Sequence, residues 1–226
     1  MKFVCDAVDV EIGGTAILKN ISFVAGEQRI GIIGDNGSGK STLARLLNGL
    51  VVATRGKVTV AGLDPAREGA LIRRKVGFVF QNADSQIVMP TVAEDVTFGL
   101  AVRKMPAAEA ARRTSAALKR FGLAALAERP CHVLSGGEKQ LLALAGVMVL
   151  EPEAIVFDEP TTMLDRRRAT QMMDVIRTLE CQTIVVTHHI EILDDFDRVI
   201  VLEEGRVVAD SKPDTAIARY LAGPAS

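Results

Sequence analysis

The chain of 226 residues has no apolar run long enough to span a membrane. Its longest, Leu141 to Leu150, is bounded by Gln140 and Glu151. That is about half of the ~20 residues a spanning helix needs. A charge excess is also missing. The 27 Lys and Arg nearly balance the 28 Asp and Glu, giving a formal net charge of -1. Nucleic-acid-binding domains usually carry a basic surplus, so nucleic acid is not expected as the main partner. Cysteine is scarce. Cys5, Cys131 and Cys181 are far apart and odd in number, which fits neither a zinc site nor a disulfide framework. Three reduced structural thiols in a cytoplasmic protein are expected. No secretory leader is expected either, because Asp6, Asp9 and Glu11 follow Lys2 before any long apolar region. Internal repeats, low-complexity tracts and long linkers are absent. What remains is an ordinary folded composition, 48% hydrophobic and 24% charged, with length enough for a sizeable core.

Short, nearly continuous apolar runs alternate with helical patterns. Gln28 to Ile33, Val76 to Phe80, Ala154 to Phe157 and Thr183 to Val186 are rich in β-branched residues. Such runs suit parallel strands covered on both faces, so the sequence predicts an α/β fold. Two regions depart from this alternation. Lys2 to Phe23, joined by Gly56 to Ala61, reads as an antiparallel side sheet. The stretch from about 82 to 150 reads as an inserted helical lobe, with good helix formers from Ala107 to Leu118. Arg198 to Leu202 and Arg206 to Ala209 flank Glu203-Glu204-Gly205 as a hairpin.

Two local patterns carry chemistry. Gly34-Asp35-Asn36-Gly37-Ser38-Gly39-Lys40-Ser41 fits the phosphate-loop pattern between a buried strand and a helix. Its glycines let backbone N–H groups close round phosphate, and the following helix directs its positive end at the anion. Lys40 is placed to reach the β- and γ-phosphates, and Ser41 to offer a hydroxyl to Mg²⁺. The second pattern is the apolar strand ending in Asp158-Glu159. Alone, two acids at a strand end would be solvated. Beside a phosphate loop they suit ATP hydrolysis, with Asp158 holding Mg²⁺ and Glu159 acting as general base.

Upstream of that pair, Leu134-Ser135-Gly136-Gly137-Glu138 contains an S-x-x-E capping box and resembles the signature peptide of the ABC ATPases. The resemblance runs from about Val8 to Arg206. It implies a single ABC ATPase domain over 1–226, built on a P-loop NTPase (RecA-like) core. It also implies roles for single residues. Gln81 matches the Q-loop glutamine, which touches Mg²⁺ and the attacking water. Asp165 matches the D-loop aspartate, and His188 the switch histidine that contacts the γ-phosphate. Thr42 follows Ser41 in the nucleotide loop. In the family two chains sandwich ATP, so Ser135, Gly136 and Gly137 would face the partner's phosphate loop. A second copy of this chain, or a related ATPase, is the implied partner.

Two positions depart from the family pattern. Ile12 stands where an aromatic residue usually stacks on adenine, and Leu141 where an arginine usually follows the signature. The run Arg166-Arg167-Arg168 reads as a solvated helix face.

The segment Gln81-Asn82-Ala83-Asp84-Ser85-Gln86-Ile87, with Pro90-Thr91-Val92 and Glu94-Asp95-Val96, is similar to the energy-coupling-factor (ECF) group of vitamin and metal importers. That resemblance implies a transmembrane coupling subunit received on Asn82 to Met105, a small substrate-capture membrane protein, and a peripheral location on the cytoplasmic face. A chain ending soon after Tyr220 is similar to the ATPases of dedicated biotin, cobalt or nickel systems, with biotin the first expectation. Other ABC transporters are the nearest alternative. A soluble ABC ATPase would be expected to carry a coiled-coil insertion, a basic surface or tandem domains. A kinase has no use for Leu134 to Glu138. Ser211-Lys212-Pro213-Asp214 vaguely resembles a guanine-reading motif of GTPases, but is better read as a proline-containing turn.

Overall fold

From the N-terminus, strands β1 (Phe3–Ile12) and β2 (Thr15–Ala25) form an antiparallel hairpin closed by Gly13-Gly14. Strand β3 (Arg29–Gly34) leads through the glycine-rich loop into helix α1 (Lys40–Leu47). Strand β4 (Arg55–Val60) and helix α2 (Pro65–Lys75) follow. Then come β5 (Val76–Val79), α3 (Val92–Val102), α4 (Ala107–Arg120) and α5 (Gly136–Met148). The chain continues through β6 (Ala154–Asp158), α6 (Arg166–Arg177) and β7 (Gln182–Val186). It ends in β8 (Arg198–Glu203), β9 (Arg206–Ser211) and α7 (Pro213–Leu221). The structure is a computed structural model and describes residues 1–223.

These elements form two compact units. The first holds 1–76, 153–159 and the described residues from 179 onward. In it β4 joins β1 to make a three-stranded antiparallel sheet, in the order β2-β1-β4. A second sheet runs β6-β7-β3-β8-β9. Its first four strands are parallel, and β9 is antiparallel to β8. The sequence pattern explains this layout. Every residue of β6 and β7 is buried, as a central parallel strand requires. In β9, by contrast, no residue is fully buried, in keeping with a sheet edge. The parallel strands β3 and β6 both end at residues of the candidate site, and ligands collect at that end of an open α/β sheet.

The second unit comprises 77–152 and 160–178. Helix α3 starts at a capping box in which the Thr91 amide donates to Glu94 Oε2 (3.1 Å) and the Glu94 amide donates to Thr91 Oγ1 (3.4 Å). Its buried residues Val92, Val96 and Leu100 recur every four positions, giving one apolar face. That face packs on α4 and α5. Each fully buried aliphatic side chain there contributes about 1.5–3 kcal/mol. Among the described residues no helix is long and apolar enough to cross a membrane. None of the three cysteines forms a disulfide among the described residues. Burial pushes the Cys5 thiol up to about 12, which makes it unreactive.

One expectation is corrected. The stretch from Ser211 to Asp214 is not a simple turn, because Pro213 is the first residue of α7. Proline suits that place, since its missing N–H would have no helical partner there.

The tip of the β8–β9 hairpin supports the glycine-rich loop. The Gly205 amide donates to Ser38 O (3.0 Å), and Gly205 O accepts from the Lys19 amide (2.8 Å). Gly205 has φ +78°, and a Cβ there would lie 2.2 Å from Ile17 O. Gly205→Ala should therefore lower the unfolding free energy by more than the roughly 1–2 kcal/mol that a left-handed backbone alone costs. Urea denaturation measures it, and a smaller loss would mean that the turn relaxes freely.

Candidate nucleotide site

The first unit assembles most of the expected residues. Strand β3 delivers the chain to Gly34, which has φ +152°. A Cβ there would fall 2.1 Å from Leu202 O and 2.7 Å from Ser38 Oγ, so the loop can turn back here only on glycine. Asp35, Asn36 and Gly37 form its exposed crest. Gly39 caps α1, with Ser41 and Thr42 in a first turn that has no acidic residue of its own. The backbone N–H groups at the positive end of α1 suit an anion.

Lys40 is only 5% exposed. Its ammonium donates to Gly34 O (2.8 Å) and Asp35 O (2.9 Å) and lies 3.9 Å from Glu159 Oε1. Burial pulls its pKa below the usual lysine value, while Glu159, Asp35 and Asp158 act against that shift. A desolvated cation held mainly by neutral carbonyls is ready to exchange them for phosphate. Among the described residues the buried Ser38 Oγ nearby has no hydrogen-bond partner.

Asp158 ends β6. It accepts from Ser41 Oγ (2.7 Å) and lies 3.6 Å from Arg45 Nη2. Burial raises its pKa, against the lowering effect of the Ser41 hydroxyl and the Arg45 guanidinium. Ser41 and Asp158 thus offer two adjacent hard oxygen donors. Among the described residues no cluster of three or more His, Cys, Asp or Glu could hold a metal. This donor set fits Mg²⁺, which commonly takes one or two protein groups and completes its shell with substrate phosphates and water.

Glu159 follows with φ +54°, a rare conformation for a residue with a side chain. Such strain costs about 1–3 kcal/mol and persists only where neighbours enforce it. Here the Glu159 amide donates to Val186 O (2.9 Å), and Oε2 lies 2.7 Å from His188 Nδ1. The turn separates the two carboxylates, so that Asp158 faces Ser41 while Glu159 faces Lys40 and His188. His189 stacks beside His188, ring centroids 4.2 Å apart, and pairs with Glu191. Ile12 lies at the β1–β2 hairpin, 52% exposed.

The remaining expected residues lie in the second unit. Gln81 is exposed just after β5. Ser135 caps α5 in a full capping box, and Glu138 Oε2 accepts from the Ser135 amide (2.7 Å). Gly136 and Gly137 form the first turn of α5, where a Cβ on Gly137 would press to 3.0 Å of Arg168 Cδ. Asp165 caps α6 by accepting from the Arg168 amide (3.0 Å), which gives it a structural task of its own. Arg166, Arg167 and Arg168 are exposed, as the sequence suggests.

Gln140 is a residue that sequence reasoning passes over. It is 2% exposed, and its amide nitrogen reaches Gln81 O and Pro160 O (3.3 Å each) and Phe80 O (3.5 Å). It ties three segments of the second unit together. The available signal was its spacing, four residues before the fully buried Leu144 on the inner face of α5.

Ser135, through its hydroxyl and amide, holds the Glu138 carboxyl below the usual range. A depressed folded-state pKa adds stability that is present above the unfolded value and is lost as pH falls through the folded value. Glu138→Ala should cost about 0.5–2 kcal/mol at pH 7, as other lost caps do. Thermal unfolding from pH 7 to pH 3 should show the gap to wild type narrowing in acid. A constant gap would mean that the carboxylate charge plays no part.

Residues 18–162 match the ABC transporter family. The biotin transport ATP-binding protein BioM of Rhizobium etli is 42% identical over 215 residues, 95% of this chain and 96% of that one. CbiO1 of Clostridium perfringens, described as part of the ABC transporter complex CbiONQ, shares the fold with a TM-score of 0.86 at 33% identity, over 97% of this chain and 92% of that one. A dimeric ATP-binding cassette solved in a post-hydrolysis state with ADP and Pi matches with a TM-score of 0.82 at 30% identity, over 93% of this chain and 98% of that one. With likeness of sequence and of fold extending over nearly its whole length, the chain belongs to the ABC transporter ATP-binding family, whose members hydrolyse ATP to drive transport.

Proposed function

We propose that the chain is the ATPase subunit of an ECF-type importer and that its cargo is biotin. The carrying observation for hydrolysis is the buried set of Lys40, Asp158 and Glu159, with His188 on Glu159, around the glycine-rich loop. The near full-length likeness to a biotin transport ATPase supports the cargo. Likeness to a cobalt import ATP-binding protein, CbiO, supports a cobalt system as second reading.

In this reading Gly34 to Thr42 bind the phosphates of ATP, with Lys40 on the β- and γ-phosphates. Ser41, Asp158 and Gln81 hold Mg²⁺, which supplies neutralising charge when bound. Glu159 accepts the proton of the attacking water, and His188 both orients Glu159 and faces the γ-phosphate. Ile12 gives adenine an aliphatic contact. Ser135, Gly136, Gly137 and Asp165 serve the nucleotide of a second copy, so a homodimer encloses two sites. The domain is single, with its helical lobe at about 82–150. Asn82 to Met105 receives the membrane coupling subunit, which works with a small capture protein and keeps the chain on the cytoplasmic face.

Glu159→Gln should still bind ATP while phosphate release falls by at least ~10²-fold, the usual worth of a general base. Near-normal turnover would overturn that role. The importer reading is tested by purifying the tagged chain from detergent-solubilised native membranes. Recovery of a polytopic membrane protein with a small second one is expected, together with loss of labelled biotin uptake on deleting the chain. Recovery of soluble partners alone would overturn it.

A further inference from the structure

Asp35 puts a carboxylate on the crest of a loop built for anions. Its two polar ends are held from different sides. The main-chain oxygen accepts from Lys40 (2.9 Å) and from the Ser38 amide (3.1 Å), and Oδ1 accepts from the Tyr220 hydroxyl near the end of α7 (2.8 Å). Helix α7 is a firm base for that hydroxyl. Its Ala216 is fully buried, and Arg219 lies 3.5 Å from Glu203 on β8. Tyr220 nevertheless reaches Asp35 beside an open cavity of 710 Å³, lined by Asp35, Ser38, Glu203, Arg206 and Tyr220 among others. The phenolic hydrogen bond is the link. Burial and the neighbouring carboxylate both push the phenol above its usual pKa, so it remains a donor at neutral pH.

Lys40 has one ammonium group. On the phosphate-loop reading, on which this step rests, that group must leave Gly34 O and Asp35 O to meet phosphate. Asp35 then keeps only the Ser38 amide (3.1 Å) on its main-chain oxygen while anionic charge arrives beside its carboxylate. We propose that Tyr220 is a positioning residue for the phosphate loop, holding the Asp35 carboxylate from α7 so that the crest keeps its shape when Lys40 turns to the nucleotide. Asp35 lies at a variable position of the loop pattern, so the contact is a feature of this chain and not a demand of the motif.

The chain has one tyrosine and no tryptophan, so a label on tyrosine reports this contact alone. With ¹³Cζ-tyrosine in the full chain, the single phenol resonance should move on Asp35→Ala and again when ADP is added to wild type. Calorimetry should show Tyr220→Phe, which keeps the ring and loses only the hydroxyl, binding ADP roughly fivefold more weakly, the worth of an ordinary hydrogen bond. That penalty should vanish in the Asp35→Ala background, and KM for ATP should rise with kcat nearly unchanged. A resonance unmoved by Asp35→Ala, equal affinities, or the same penalty in both backgrounds would overturn the proposal. Failure of wild type to bind ADP at all would instead overturn the phosphate-loop reading beneath it.

Discussion

A single buried ammonium organises the site. Lys40 is enclosed at the start of α1, held by two loop carbonyls and one carboxylate at 3.9 Å. Its lowered pKa says that the folded chain carries this charge less readily than the unfolded one does. Such an ion is stable only if its surroundings are polar and well placed, because an uncompensated buried charge costs several kcal/mol. The glycines that bring carbonyl oxygens inward, and the acids that end β6, are answers to that demand. An arriving phosphate answers it better, since it adds full negative charge in a place already stripped of water.

The backbone bears the cost of this arrangement. Glu159 sits in a left-handed turn that a glycine would enter more easily. Glycine would carry no carboxylate, so the conformation is imposed by the Val186 carbonyl and the His188 ring. Gly205 enters its left-handed turn freely, leaving room for Ile17 O and giving its amide to Ser38. The strain at Glu159, at the end of β6, marks where the fold trades stability for function.

What could be read in the sequence was what is local. The glycine-rich loop, the buried strands and the capping box at Ser135 are each dictated by neighbours a few residues apart, and all appear where the pattern puts them. Contacts made by distant residues stayed hidden. Tyr220 and Asp35 are 185 positions apart, and nothing in either neighbourhood signals the other. Gln140 looks like a polar residue on an amphipathic helix, yet it lies inside. The left-handed turn at Glu159 has no glycine to announce it. At Pro213 the same residue type that makes turns also starts helices, and burial of Ala216 decides for the helix. The roles proposed for Ser135, Gly137 and Asp165 would need a paired assembly, and within one chain their visible work is to cap and pack helices.

The most direct test is thermal unfolding of wild type and Lys40→Met, each with and without ATP and Mg²⁺. A ligand that binds only the folded state at about 100 times its Kd should stabilise wild type by about 2.7 kcal/mol. Lys40→Met, whatever its stability without ligand, should gain little or nothing from ATP. A variant that unfolds early without ligand yet is stabilised by ATP as strongly as wild type would contradict the account, making Lys40 a structural residue and placing the nucleotide elsewhere.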